Sequence, residues 1–143
     1  MVVREILKAK GTRIISIRLR ETIAAAAKMM VTENIGAIVV TDVVLTEGST
    51  VVGMLSERDI VRALVSNTTA QDIMKMPVEK LMSKRLISCQ PDDDLADVME
   101  KMDRHGIRHV PVLDDHTLVG VVSVRDVIHV LRGGEGEVVA PAA

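Results

Sequence analysis

The chain has 143 residues, no Phe, Trp or Tyr, and a formal net charge of −2. That length allows one domain of ordinary size, or two small units that share a core. Without aromatic platforms for base stacking, and with 18 Lys and Arg against 20 Asp and Glu, the chain is not expected to bind nucleic acid.

We expect neither an export signal nor a membrane span in this sequence. Its N-terminus, MVVREILKAKG, is charged and lacks the apolar core of a signal peptide. Its uncharged apolar stretches are shorter than a membrane span. The single cysteine, Cys89, excludes an intramolecular disulfide framework and fits a small buried side chain in a reducing compartment. We therefore expect a soluble cytoplasmic protein.

One pattern occurs twice along the chain. Ile15-Ser16 recurs as Ile87-Ser88, 72 positions later. Arg58-Asp59 recurs as Arg125-Asp126, only 67 positions later. Five extra residues therefore lie in the first copy, within 43–51, where we expect a longer hairpin loop.

Each copy is predicted to run β-α-β-β-α. The first helix has apolar residues at i, i+3, i+4 and i+7, from Ile23 to Met30 and again from Leu95 to Met102. Gly106 is expected to end the second of these helices as a left-handed cap. The remaining elements are predicted at 14–18, 35–40, 51–55 and 57–65 in the first copy, and at 86–89, 110–113, 118–122 and 124–131 in the second. A short apolar helical lead precedes each copy, with Val3, Ile6 and Leu7 matched by Val78, Leu81 and Met82.

These elements predict two repeats in one α+β fold, an α/β sandwich. We place the first repeat at 1–67, the second at 68–132 with a linker at 68–77, and a flexible C-terminal tail at 133–143. One copy alone would be marginally stable, because a small domain buries little surface. We therefore expect the two copies to pack sheet to sheet with pseudo-two-fold symmetry.

A shared motif opens the last helix of each copy. It reads Gly-h-h-Ser-x-x-Asp, where h is apolar, and it spans Gly53 to Asp59 and Gly120 to Asp126. Two β-α-β-β-α copies with this motif resemble the CBS domain family, whose tandem pairs form a Bateman module. The resemblance covers nearly all of 2–132, so the chain resembles a stand-alone CBS domain-containing protein.

The resemblance implies regulation rather than catalysis. It predicts a module that senses adenosine-containing nucleotides in the cleft between the two repeats, with AMP or ATP expected first, and ADP, NAD or S-adenosylmethionine as further options. No cofactor is required. It also implies a disc-shaped homodimer and, as a partner, a regulated enzyme or transporter. The residues themselves show no nucleophile–base pair and no metal cluster, so we expect neither an enzyme nor a metal site.

The Ser-x-x-Asp sequences have a structural and a functional interpretation. The structural one is a capping box at a helix N-terminus. The functional one is compatible with it, because a helix N-terminus presents free N–H groups that suit a phosphate, and an ionised aspartate can accept two hydrogen bonds from a ribose diol. The resemblance assigns the ribose to the aspartate, and a ribose or phosphate contact to the serine, at Ser56, Asp59, Ser123 and Asp126. Arg58 and Arg125 either bind phosphate or are simply solvated.

The strand after the first helix provides a second group of candidates. The resemblance implies that its first residues read and flank adenine, through backbone groups and aliphatic side chains. The alternative is an ordinary core strand. The candidates are Ile35, Gly36, Ala37, Ile107, Arg108, His109, Val110 and Pro111.

The two copies differ at two of these positions. Arg108 and His109 are basic, whereas Gly36 and Ala37 stand in their place in the first copy. We therefore expect asymmetric occupancy, with Arg108 and His109 binding phosphate; if it binds phosphate, His109 should respond to pH near neutrality. A surface Arg and a half-buried His are the alternative. The competing function is a non-catalytic dimerisation or interaction scaffold with degenerate sites, which Gly36 and Ala37 favour for one copy.

Overall fold

The computed structural model describes residues 1–11, 13–44 and 48–133. They fall into a first-repeat unit, Ile15–Leu86, and a second-repeat unit, which joins Met1–Ile14 to the chain from Ile87 onward. The boundary predicted at 67/68 divides the sequence repeats. The spatial units divide instead after Ile14 and after Leu86. The N-terminal segment packs with the second repeat. The predicted tail after Gly133 lies outside the described residues.

The elements follow the predicted mixed α and β order, except that the predicted linker at 68–77 contains a helix, Ala70–Lys75, and that one predicted strand, at 86–89, does not form. In chain order they are α1 (Val3–Lys10), β1 (Ser16–Arg18), α2 (Ile23–Glu33), β2 (Ala37–Val44), β3 (Gly48–Ser56), α3 (Glu57–Leu64), α4 (Ala70–Lys75), a 3₁₀ turn (Val78–Lys80), α5 (Leu95–His105), β4 (His109–Asp114), β5 (Thr117–Ser123) and α6 (Val124–Leu131). No helix in the described ranges has the length and apolar character needed to cross a bilayer.

The two units contain the same antiparallel hairpin. In the first-repeat unit β1 joins β2 in parallel, and β2 pairs with β3 in antiparallel fashion. In the second-repeat unit β4 pairs with β5. Both hairpins shift register at the matching place, after Val40 and after Val112. The two repeats thus share even this local irregularity in the pairing of their strands.

The five extra residues lengthen the first hairpin rather than only its loop. β2 and β3 have 8 and 9 residues, against 6 and 7 in β4 and β5. The predicted loop insertion is thus mostly paired strand, and residues 45–47 lie outside the described residues. The second hairpin turns at Asp115 and His116, both with positive φ, as a tight two-residue turn requires.

The strand predicted at 86–89 is wrong. Only Cys89 pairs with Val112, through hydrogen bonds from the Cys89 N–H to the Pro111 carbonyl (3.0 Å) and from the Leu113 N–H to the Cys89 carbonyl (2.8 Å). The next N–H in this parallel ladder would come from Pro111, which has none. The equivalent of β1 therefore stops after one residue.

Helix caps agree with the sequence. Gly106 ends α5 in the left-handed conformation, with φ 62°, as predicted. Asn34 occupies the same place after α2, with φ 55°, and asparagine is one of the few non-glycine residues that adopts this conformation readily. Both helices thus end at the same turn before the next strand begins.

Each apolar lead packs on the unit of the other sequence repeat. Ahead of the first repeat, the Val3 N–H donates to the Asp93 carbonyl at 3.0 Å; ahead of the second, the Val78 N–H donates to the Glu21 carbonyl at 2.7 Å. Both valines are fully buried, each in its own unit's core. This exchange explains why α1 belongs to the second-repeat unit.

Candidate functional site

In each unit the start of one strand meets the start of one helix. Ala37, at the start of β2, pairs with Ser56 at the end of β3; His109, at the start of β4, pairs with Ser123 at the end of β5. The serines are the N-caps of α3 and α6. We call these places the first-repeat corner (35–37 with 56–59) and the second-repeat corner (107–111 with 123–126).

The structure thus brings the predicted residues together within each unit. The corner forms because the strands pair in register and the polypeptide passes from strand to helix at a serine whose side chain caps the helix. The Glu57 N–H donates to the Gly36 carbonyl, and the Val124 N–H donates to the Arg108 carbonyl, both at 2.9 Å. These bonds fix the strand start against the first turn of the helix.

The expectation of free helix amides for a phosphate is wrong for much of these corners. In the second-repeat corner the Val124 N–H binds the Arg108 carbonyl, the Asp126 N–H binds Ser123 Oγ at 3.1 Å, and the Ser123 N–H binds Asp126 Oδ2 at 2.8 Å. Amides already bonded within the protein are poor donors to an anion. These three amides are therefore not free to bind a phosphate.

Both Ser-x-x-Asp sequences form the capping box that the structural interpretation predicts. Asp59 Oδ2 accepts hydrogen bonds from the Ser56 N–H at 2.9 Å and from Ser56 Oγ at 3.0 Å. Asp59 is half-buried, and among the described residues its Oδ1 atom accepts no hydrogen bond. This carboxylate keeps an oxygen with which it could bind a hydroxyl group.

Asp126 has a different environment from Asp59. Its side chain is only 3% exposed, and Oδ2 lies 2.9 Å from the Nζ atom of Lys10. The same ammonium donates to the Val121 carbonyl at 2.8 Å. A buried charge needs a partner of this kind, since an unpaired carboxylate would lose its hydration without compensation.

Sequence reasoning missed Lys10. It is the last residue of α1, a helix that precedes the first repeat in the chain but packs with the second. Comparing the two sequence repeats could not identify Lys10. The lead that contains Lys10 precedes the first repeat in the chain, but it packs on the second repeat. A basic residue at the end of an amphipathic lead was the available signal, and alone it indicates only a favourable helix dipole contact.

His109 lies half-buried beside this ion pair. The pKa of His109 is lowered from 6.5 to about 4, mainly by burial and then by the charge of Lys10, with a smaller contribution from Arg108, while Asp126 acts in the opposite direction. His109 is therefore neutral at physiological pH in this structure. The response near neutrality is expected only of a His109 that binds phosphate, and it stays a prediction; the cations close to His109 are Lys10 and Arg108.

The other predicted residues divide by exposure. Exposed arginines lie at both corners: Arg58, Arg108 and Arg125. Buried residues of the strand starts are Ile35, Gly36, Ala37, Val110 and Pro111, and Ile107 is half-buried. Ile35 and Val110 belong to the cores of their units. The core interpretation holds for these two, and Val110, fully buried, offers no side-chain surface to a ligand.

A cavity of about 590 Å³ lies elsewhere in the second-repeat unit. It sits at the far end of β4, against the β4–β5 turn, and is lined by Ser88, Cys89, Gln90, Asp93, Lys101, Leu113, Asp114, Asp115 and His116. None of the predicted site residues lines it. Burial, with the nearby Asp93, raises the pKa of Cys89 to about 11, so the thiol stays protonated.

Within 1–11, 13–44 and 48–133, no group of three His, Cys, Asp or Glu side chains could hold a metal ion.

Comparison with known proteins identifies the same repeated unit. The family model described as CBS domain matches residues 3–66 and 78–133. The CBS domain-containing protein YhcV of Bacillus subtilis is 36% identical over 115 residues, which cover 80% of this chain and 76% of that protein.

Solved structures agree with the sequence relatives. The CBS-domain containing protein ATU1752 from Agrobacterium tumefaciens has a TM-score of 0.82 at 30% identity, covering 92% of this chain and 99% of that chain. The CBS domain pair of protein MJ0100, solved with 5′-methylthioadenosine and S-adenosyl-L-methionine, has a TM-score of 0.77 at 27% identity, covering 94% and 98% of the two chains.

Proposed function

This chain belongs to the CBS domain family through both of its repeats, and we propose that it is a regulatory, non-catalytic module that binds adenosine-containing ligands at its two corners. The observation that carries the proposal is the Asp59 carboxylate. The capping box holds it by one oxygen at the junction of β2, β3 and α3, while the other oxygen accepts no hydrogen bond from the described residues.

This arrangement suits a ribose. A carboxylate is an acceptor-only group, and the two neighbouring hydroxyls of a ribose are donors at matching spacing. The Ser56 bonds fix the carboxylate before a ligand arrives, so little conformational freedom is lost on binding. MJ0100, a structural relative of this chain, was solved with two ligands that both contain adenosine.

AMP or ATP is the proposed ligand of the second-repeat corner. The basic side chains of Arg108 and Lys10 act on His109 at this corner, and a guanidinium can bind a phosphate through two parallel hydrogen bonds. The first-repeat corner has Gly36 and Ala37 at the positions of Arg108 and His109. We infer asymmetric binding, with phosphate recognition at the second corner.

Regulation would follow from a difference in ligand affinity between two states of the module. A ligand shifts such an equilibrium only as far as it prefers one state. The partner would be an enzyme or transporter whose activity depends on the state of the module.

Calorimetric titration tests the proposal, because the chain has no Trp or Tyr for fluorescence. Wild type, Asp59→Ala and Asp126→Ala are titrated with AMP, ADP, ATP, NAD and S-adenosylmethionine. Losing a hydrogen bond to a charged group costs about 1.5–3 kcal/mol, so we expect affinity at the altered corner to fall roughly tenfold or more.

The control is Asp97→Ala, which removes an exposed aspartate of α5 that lies outside both corners. It should leave binding unchanged. Saturable heat that is reduced in the Asp59 or Asp126 variant, and not in the control, would support the proposal. A complete lack of binding across the ligands would contradict it.

A homodimerising scaffold is the second candidate function. α3 contains no buried residue, and it exposes Val61 and Leu64; α6 exposes Ile128 and Leu131. Apolar side chains on the outer face of a helix are typical of surfaces that bind another protein. We propose that a second copy of this chain covers them, whether or not a nucleotide is bound.

A further inference from the structure

Lys10 is a charged side chain that hydrogen-bonds to Asp126 of the second-repeat corner and to the adjoining strand β5. Its ammonium lies 2.9 Å from Asp126 Oδ2 and donates to the Val121 carbonyl at 2.8 Å. The lysine side chain is 18% exposed and the aspartate side chain 3%. The carboxylate proposed to hold a ribose is therefore covered by a cation of the protein itself.

A ligand can reach Asp126 only if something beside it moves. The Ser123 N–H, which also binds Oδ2, belongs to the backbone of the strand-to-helix junction and is fixed by the ladder. Lys10 has a long flexible side chain at the last residue of α1, and its side chain keeps some contact with solvent. Lys10 is therefore the group that yields when a ribose enters.

The displaced ammonium determines which ligand can bind. An uncharged adenosine would break the ion pair and offer the lysine no anion in return, which is unfavourable for a partly buried charge. A ligand with a phosphate supplies that anion, and Arg108 is already nearby. The cost of opening the corner is thus offset only by an anionic ligand.

We propose that Lys10 is a specificity-determining residue that makes the second-repeat corner select phosphorylated adenosine ligands over uncharged ones. This inference rests on the proposed function, since it assumes that the corner binds adenosine. It assigns a role to a residue that lies outside both Ser-x-x-Asp motifs and outside the strand starts.

The first-repeat corner provides an internal comparison. The lead residues of the two repeats are 75 positions apart, as Val3 and Val78 are, so Arg85 stands where Lys10 would. Arg85 is exposed, and the hydrogen bonds that Asp59 accepts come from Ser56. Among the residues that the structure describes, no cation pairs with Asp59, so the first corner should accept uncharged adenosine as well.

The test isolates the second corner in an Asp59→Ala background. Adenosine and AMP are titrated by calorimetry into Asp59→Ala, Asp59→Ala/Lys10→Met, and Asp59→Ala/Lys8→Met, in which an exposed lysine of the same helix is the matched control. We expect Lys10→Met to weaken AMP and strengthen adenosine, so that the preference for AMP falls at least about tenfold. Lys8→Met should leave it unchanged.

A second variant separates charge from folding. Lys10→Arg keeps a cation at this position and should retain the preference for AMP, while far-ultraviolet circular dichroism shows that each variant folds. An AMP-to-adenosine ratio that is the same in the Lys10→Met and Lys8→Met proteins would overturn the inference.

The outcomes also distinguish this inference from the proposed function. If wild type binds neither ligand, the proposed function fails, and the role of Lys10 fails with it. If wild type binds but the ratio does not depend on Lys10, only the role of Lys10 fails. If Asp59→Ala abolishes all binding and Lys10→Met does not restore adenosine, the second corner is not a site and the inference is overturned.

Discussion

Asp59 and Asp126 occupy the same place in the same motif and have different chemistry. Each closes a capping box with the serine three residues earlier. Asp59 is half-buried, and its Oδ1 atom accepts no hydrogen bond from the described residues, whereas Asp126 is buried and paired with Lys10. Identical motifs therefore do not imply identical ligands. Lys10, which pairs with Asp126, lies far from the motif in the sequence and changes the environment of that aspartate.

His109 makes the stability of the protein depend on pH. Its pKa is lowered from 6.5 to about 4 by burial first, with Lys10 and Arg108 adding to the effect. Between these two values the unfolded chain binds a proton that the folded chain does not, so the free energy of unfolding decreases as the pH falls. The complete effect of the lowered pKa is about 3 kcal/mol at most.

Urea unfolding of wild type and His109→Gln between pH 7 and 4 measures this effect. We expect the variant to lose less stability on acidification than wild type does. His116→Asn, in the exposed β4–β5 turn, serves as the control and should keep the wild-type slope. Parallel slopes for wild type and His109→Gln would show that His109 does not titrate in this window.

At the scale of elements, each apolar lead lies against a glycine of a strand. A Cβ atom at Gly53 would lie 2.5 Å from the Ser83 carbonyl oxygen, and one at Gly120 would lie 2.6 Å from Leu7 Cδ2. The glycine of the Gly-h-h-Ser-x-x-Asp motif is thus required by the close approach of the lead. Each lead can approach its strand this closely only because the strand has a glycine at that position.

The two glycines are expected to differ in their tolerance of alanine. The Ser83 backbone is held by two hydrogen bonds to Met54, of 2.8 and 3.1 Å, and cannot retreat from an added methyl group. The Leu7 side chain can change its rotamer. Gly53→Ala should therefore cost about 1–3 kcal/mol of stability, and Gly120→Ala clearly less.

Equilibrium urea unfolding of the two alanine variants measures this difference. Each variant serves as the matched control for the other, because the glycines occupy the same position of the repeat. An equal cost at both positions, or a larger cost at Gly120, would show that the lead contacts do not restrict the strand in this way.

At the scale of the whole molecule, the chain exposes apolar helix surface on both repeats. The exposed fraction is 57% for Val61, 50% for Ile128 and 67% for Leu131. A protein whose formal net charge is only −2 has little repulsion with which to oppose self-association. We therefore predict a homodimer that uses these helices.

Light scattering after size exclusion tests the assembly. Wild type should have twice the 15.5 kDa mass of one chain, and Ile128→Asp/Leu131→Asp should shift the dissociation constant at least about tenfold towards monomer. Val31→Asp, on an exposed position of α2, is the control. A monomeric wild type at every concentration, or a variant that stays dimeric, would contradict the prediction.

Much of the fold follows from the sequence because the pattern is local and occurs twice. Helix α5, its Gly106 cap, the two hairpins and the capping boxes follow from spacing, turn residues and side-chain chemistry within a few positions. The failure at 86–89 has a local cause as well, since Pro111 lacks the N–H that a longer ladder needs.

The sequence by itself determined the family, the order of the elements, and which serines and aspartates meet the strand starts. Only the tertiary structure decided that α1 packs with the second repeat, that Lys10 pairs with Asp126, and that His109 is neutral. The physical reason is distance along the chain. Lys10 and Asp126 are 116 positions apart, and a contact at that separation depends on packing rather than on local pattern.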